Sequence, residues 1–132
     1  MAQGQRARPR PGGAGGASRM TWEEVVAIGR RFPDVEEATS YGTPALRSNR
    51  RFLTRLRDED ASLVLGCPFD ERDLLLEAAP EVFHLTPHYQ GYPAILARME
   101  AISPEELTRF LERGWRATAR KRDVAAYDAA RR

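Results

Sequence analysis

From Met20 onward, apolar positions follow two alternating periods. Trp22, Val25, Val26, Gly29 and Phe32 recur at helical spacing. Thr21 and Glu24 form a T-x-x-E capping box at the start of that stretch. Pro33 disfavours helical geometry at Phe32, so the helix is predicted to stop near Arg31. The period then changes to two. Ala45 to Ser48 reads as a short strand, Asn49-Arg50 as a turn and Arg51 to Arg57 as a longer strand. In the longer strand Phe52, Thr54 and Leu56 are expected on one face, and Arg51, Leu53, Arg55 and Arg57 on the other. Asp58-Glu59-Asp60 makes the next turn, and Ser62 to Gly66 is a short apolar strand closed by Pro68.

A second helix is predicted from Asp70, with Phe69 and Leu74 placed as a hydrophobic staple and Leu74, Leu75, Ala78 and Ala79 as its buried stripe. The stretch "FHLTPHYQGYPAIL" follows, leading into a strand from about Pro93 to Ala101. The clearest signal comes next. Ser103 caps a helix, Pro104 sits at its first position, Glu106 completes the capping box, and Ile102 faces Leu107. Leu107, Phe110, Leu111, Gly114, Trp115 and Thr118 carry the apolar face to about residue 120. The order α-β-β-β-α-β-α predicts an α+β two-layer sandwich, an antiparallel sheet with helices packed on one face.

Length and charge refine this picture. A chain of 132 residues suits one domain. No apolar run approaches the roughly 20 residues that span a bilayer, so no membrane partner is expected. No apolar segment follows the basic N-terminus as in a signal peptide, and the single cysteine, Cys67, cannot close an intrachain disulfide. Both point to the cytoplasm. The net charge of +2 is uneven. Residues 1–19 hold Arg6, Arg8, Arg10 and Arg19 and no acid, leaving 17 basic against 19 acidic residues in the remainder. That segment is rich in Gly, Pro, Ala and Arg without apolar periodicity, and is expected to be a disordered tail. The domain is then placed at 20–122, with 123–132 as a C-terminal extension. All basic residues but Lys121 are arginine, which fits a GC-rich bacterial genome.

The segments "FPDVEEATSYGTPALR", "RRFLTRL" and "TPHYQGYPAILARM", with the capped helix that follows, together resemble the MmcQ/YjbR-like family of small bacterial proteins. The resemblance runs from about Trp22 to Trp115. It implies a two-layer α+β fold likened to frataxin-type and secretion-chaperone-type folds, and a DNA-binding role through paired wing-like hairpins. Relatives in that family often carry a basic residue at or just before the cysteine position after the third strand. Here the segment is "LGCP", which takes one charge from that face.

Candidate chemistry is sparse. His84 and His88 are spaced H-x3-H, which on a helix suits a metal. Pro87 between them argues against that helix, and only Glu81 and the distant Cys67 are at hand where three or four ligands are needed. No metal or other cofactor is therefore expected. A nucleophilic Cys67 would need a base and an electrophilic site that the sequence does not display, so the chain is read as non-enzymatic. Pro87, Gly91 and Pro93 fix a path in which Tyr89 and Tyr92 bury their rings with hydroxyls at a polar edge. The functional alternative is a groove lined by His84, His88, Tyr89 and Tyr92 that stacks a base or grips a peptide.

Arg47, Arg50, Arg51, Arg55 and Arg57 cluster within 11 residues on the predicted hairpin. Presented together, they suit the sequence-blind phosphate contacts of DNA binding. The bland counterpart is a solvated sheet face balanced by Glu36, Asp58, Glu59 and Asp60. The sequence thus leaves two readings, a DNA-binding protein working through the arginine hairpin, and a protein- or peptide-binding module using the sheet surface and the Tyr/His loop.

Overall fold

The computed structural model describes residues 19–132, so the tail expected over the first residues lies outside the described part except for Arg19. The elements run α1 (Trp22–Gly29), β1 (Val35–Ser40), β2 (Thr43–Ser48), β3 (Arg51–Arg57), β4 (Ser62–Gly66), α2 (Phe69–Ala78), β5 (Phe83–His84), β6 (Ala94–Arg98), α3 (Pro104–Thr118) and α4 (Lys121–Ala130). The strands form one antiparallel sheet in the order β1-β2-β3-β4-β6-β5. The architecture is α+β, with helices packed against the sheet.

Capping chemistry places two of the helices. At α1 the Thr21 hydroxyl accepts from the Glu24 amide at 3.2 Å, and the Glu24 carboxylate accepts from the Thr21 amide at 2.8 Å. At α3 only half of the expected box forms, as the Ser103 hydroxyl accepts from the Glu106 amide at 3.1 Å. Ile102 and Leu107 are both buried there, as expected of a staple. The main core lies between helices and sheet. Val25 and Ile28 of α1 and Leu107, Leu111 and Trp115 of α3 meet Leu46, Leu53, Leu63, Leu65, Ile95 and Ala97 of the sheet.

Four expectations need correction. The expected order has no strand before Ala45, yet Val35–Ser40 forms β1. Its VEEATS sequence buries only Val35, because an edge strand with one polar side lacks clean alternation. The β3 faces differ as well. Leu46 opposes Thr54 and Arg47 opposes Phe52, so β3 carries one extra residue as a β-bulge, and Leu53, Thr54 and Leu56 all turn toward the helices. In α2 the expected staple fails and only half of the expected stripe packs. Phe69, Leu74 and Ala78 are exposed, Leu75, Leu76 and Ala79 give the apolar contacts, and the buried residue is Arg72. Finally, residues 123–132 are no extension. Most of them form α4, whose Val124 and Tyr127 join the core, with the Tyr127 ring 5.3 Å from Phe32 and 5.1 Å from Trp115. The polar run "ARKR" hid that helix.

Candidate functional site

The second face of the sheet, away from the main core, holds the candidate site. One register row on it runs Ala38, Ala45, Arg55, Val64, Leu96 and His84, one residue from each strand. After β5 the chain crosses this face before entering β6. Tyr89, in a single 3-10 turn over Pro87–Tyr89, packs on Val64 and Leu96 with Leu85 and Ala94 around it. The 85–93 loop thereby covers the β4–β6 half of the face, while the hairpins make the other half with Arg47 and Arg55; Arg51 stands opposite Ser48 in a row on the main-core side of the sheet.

Arg72 pins that loop. Its guanidinium reaches out of the first turn of α2 and donates to the carbonyls of Tyr89 (3.2 Å), Gln90 (3.0 Å), Tyr92 (2.7 Å) and Ala94 (3.3 Å). It is 7% exposed and lies over the Phe69 ring. Sequence reasoning missed it. The signal was there, since a cation in a first turn that already carries Asp70 and Glu71 runs against the helix dipole unless the side chain is used elsewhere.

The five hairpin arginines separate into three groups. Arg47, Arg50 and Arg51 are exposed and, among the described residues, make no ion pair. Arg57 is committed. Its side chain is 11% exposed, pairs with Glu59 at 3.4 Å and Asp60 at 3.5 Å, and reaches the Thr86 hydroxyl at 3.4 Å. Arg55 stands between. It is half-buried and donates to the Tyr89 hydroxyl at 2.9 Å and the Thr43 hydroxyl at 3.2 Å, with its charge 5.1 Å from the centre of the Tyr41 ring. No carboxylate among the described residues pairs with it. Arg55 is therefore an oriented cation bracketed by two tyrosines.

The residues of the expected Tyr/His groove take different stations. Tyr89 is the buried plug, with its hydroxyl at a polar edge as expected. Tyr92 is 55% exposed instead of buried. His88 is exposed and sits edge-on to Tyr89 at 4.7 Å and 5.9 Å from Tyr92. His84 is half-buried on β5, with Nε2 2.8 Å from the Ser62 hydroxyl and 3.8 Å from Asp60 Oδ2. A serine, a histidine and an aspartate thus meet, but not as a nucleophile with its base. Ser62 is fully buried, and Asp60 approaches the same ring nitrogen as Ser62, so no carboxylate orients Nδ1.

Burial, followed by Arg98 and then Arg57, pushes the His84 pKa below its ordinary value of 6.5, with only Asp60 opposing. The folded chain then binds this proton less readily than the unfolded chain. Stability is full above 6.5 and falls as the pH drops below that value toward the lowered one. Thermal melts should show the loss on acidification through 6.5, and a smaller loss in His84→Gln, after both are referenced to neutral pH.

Cys67 is buried beside the Glu71–Arg113 ion pair, whose atoms are 2.6 Å apart. Burial and then Glu71 push its thiol pKa up, away from a nucleophilic thiolate. Among the described residues no group of three or more His, Cys, Asp and Glu side chains converges as a metal site. None of their helices is long and apolar enough to cross a membrane. A hollow of about 490 Å³ lies between α1 and the turn before α3, lined by Met20, Ile28, Arg31 and Glu100 among others, and shares no residue with the site.

No family model matches the chain, and no solved structure matches it. Among curated proteins it is similar to the uncharacterized proteins Mb2600 of Mycobacterium bovis and Rv2570 of Mycobacterium tuberculosis. Each is 28% identical over 122 residues, covering 81% of this chain and 95% of the relative.

Proposed function

We propose that this chain binds DNA through phosphate contacts made by the β1–β3 hairpins, as the resemblance to MmcQ/YjbR-like proteins implies. The observation that carries the reading is the set of cations without acidic partners. Arg47, Arg50 and Arg51 are exposed and unpaired among the described residues, and Arg55 is held in place by two hydroxyls. The hairpin arginine that serves the fold is instead buried against acids, as Arg57 is with Glu59 and Asp60. Phosphate oxygens supply the missing acceptors without regard to sequence, which suits a face that lacks a base-reading helix.

A second reading, a peptide-binding module, is favoured by β1. This six-residue strand lies at the sheet edge, where an extended peptide adds by backbone pairing. Recovery of bound partners from lysate separates the two. Nucleic acid that disappears on nuclease treatment supports the first reading. A protein partner retained after nuclease supports the second and sinks the first.

A further inference from the structure

Tyr41 and Gly42 form the two-residue turn between β1 and β2, with φ of 53° and 78°. Two positive φ values in succession mark a type I′ hairpin turn, which favours Asn, Asp or Gly at its first position. An aromatic residue there is strained, and its ring is 90% exposed, so burial returns nothing to the fold. What the turn achieves is to hold an aromatic face beside the Arg55 guanidinium, 5.1 Å from the ring centre. The next hairpin repeats the device. Arg50 occupies the second turn position at φ 70°, where glycine is usual, and is exposed. β2 separates these turns by six residues, about 20 Å at strand rise. A ligand touching both therefore follows the strand.

We propose that the DNA this face holds is single-stranded, with one base stacked on Tyr41 and an adjoining phosphate on Arg55. The inference rests on the DNA-binding reading above. A duplex keeps its base faces stacked on one another, whereas every base of a single strand offers a free face to an aromatic ring. The unpaired charge of Arg55, fixed by Thr43 and Tyr89, lies where the backbone of that nucleotide passes.

The test uses the full chain, a labelled short oligothymidylate and a duplex of equal length, compared by fluorescence anisotropy at one low salt concentration. The expected result is tighter binding of the single strand. Tyr41→Ser should weaken that binding about tenfold and leave the duplex affinity unchanged, with Tyr41→Trp restoring the wild-type value and all three proteins melting alike. Preference for the duplex, or a Tyr41→Ser variant that binds oligothymidylate as well as wild type, overturns the stacked single strand but leaves phosphate binding standing. Absence of binding to either ligand overturns both.

Discussion

Replacing Arg72 with methionine should lower the stability of the fold by about 2–4 kcal/mol, because four carbonyls of the 85–93 loop and β6 lose their shared donor. Methionine keeps much of the apolar stem, so the loss reports the guanidinium. Hydrogen exchange should quicken first in residues 85–93, since that loop owes its place to Arg72 and to Tyr89 on Val64 and Leu96. Chemical denaturation that finds a change below about 1 kcal/mol would show that the loop holds itself.

Trp115→Ala is expected to cost about 3–5 kcal/mol. The indole is fully buried, 5.3 Å from the Phe32 ring and 5.1 Å from the Tyr127 ring, and donates from Nε1 to the Pro33 carbonyl at 2.8 Å. It joins α3, α4 and the turn after α1, so its loss should loosen α4 as well. Trp115→Phe should cost less, about 1–3 kcal/mol, since it keeps an aromatic ring but leaves the Pro33 carbonyl without its donor. Equal losses for the two variants would mean that the hydrogen bond, not the volume, governs the site.

Much of the fold was legible because local chemistry and packing agree there. Thr21, Glu24, Ser103 and Pro104 mark helix starts through bonds within a few residues, and Ile102 and Leu107 bury beside one of those starts. What was not legible depends on partners distant in sequence. β1 is a strand only because β2 is beside it. The β3 bulge turns Leu53 and Thr54 to one side for reasons of pairing that alternation does not carry. Arg72 is buried because carbonyls 17 to 22 residues later converge on it. The site divides similarly. The arginine cluster was visible as composition, but Arg57 is removed from it by Glu59 and Asp60, and Arg55 is fixed by Tyr89 across the sheet. Tyr41 went unnoticed, since its strain and exposure are properties of a turn whose two strands were not both read.

The account rests on unpaired hairpin arginines meeting phosphates, and the salt dependence of DNA binding measures that most directly. Full-length protein should be compared with a variant in which Arg47 and Arg51 become Gln and Arg50 becomes Asn, a residue that tolerates the positive φ found there. The N-terminal arginines are present in both proteins, so their contribution cancels. Each phosphate neutralised on a single strand adds about 0.7 to the negative slope of log affinity against log salt. The predicted result is a wild-type slope steeper by about 2, with unchanged melting temperatures. Parallel lines for the two proteins would contradict the account.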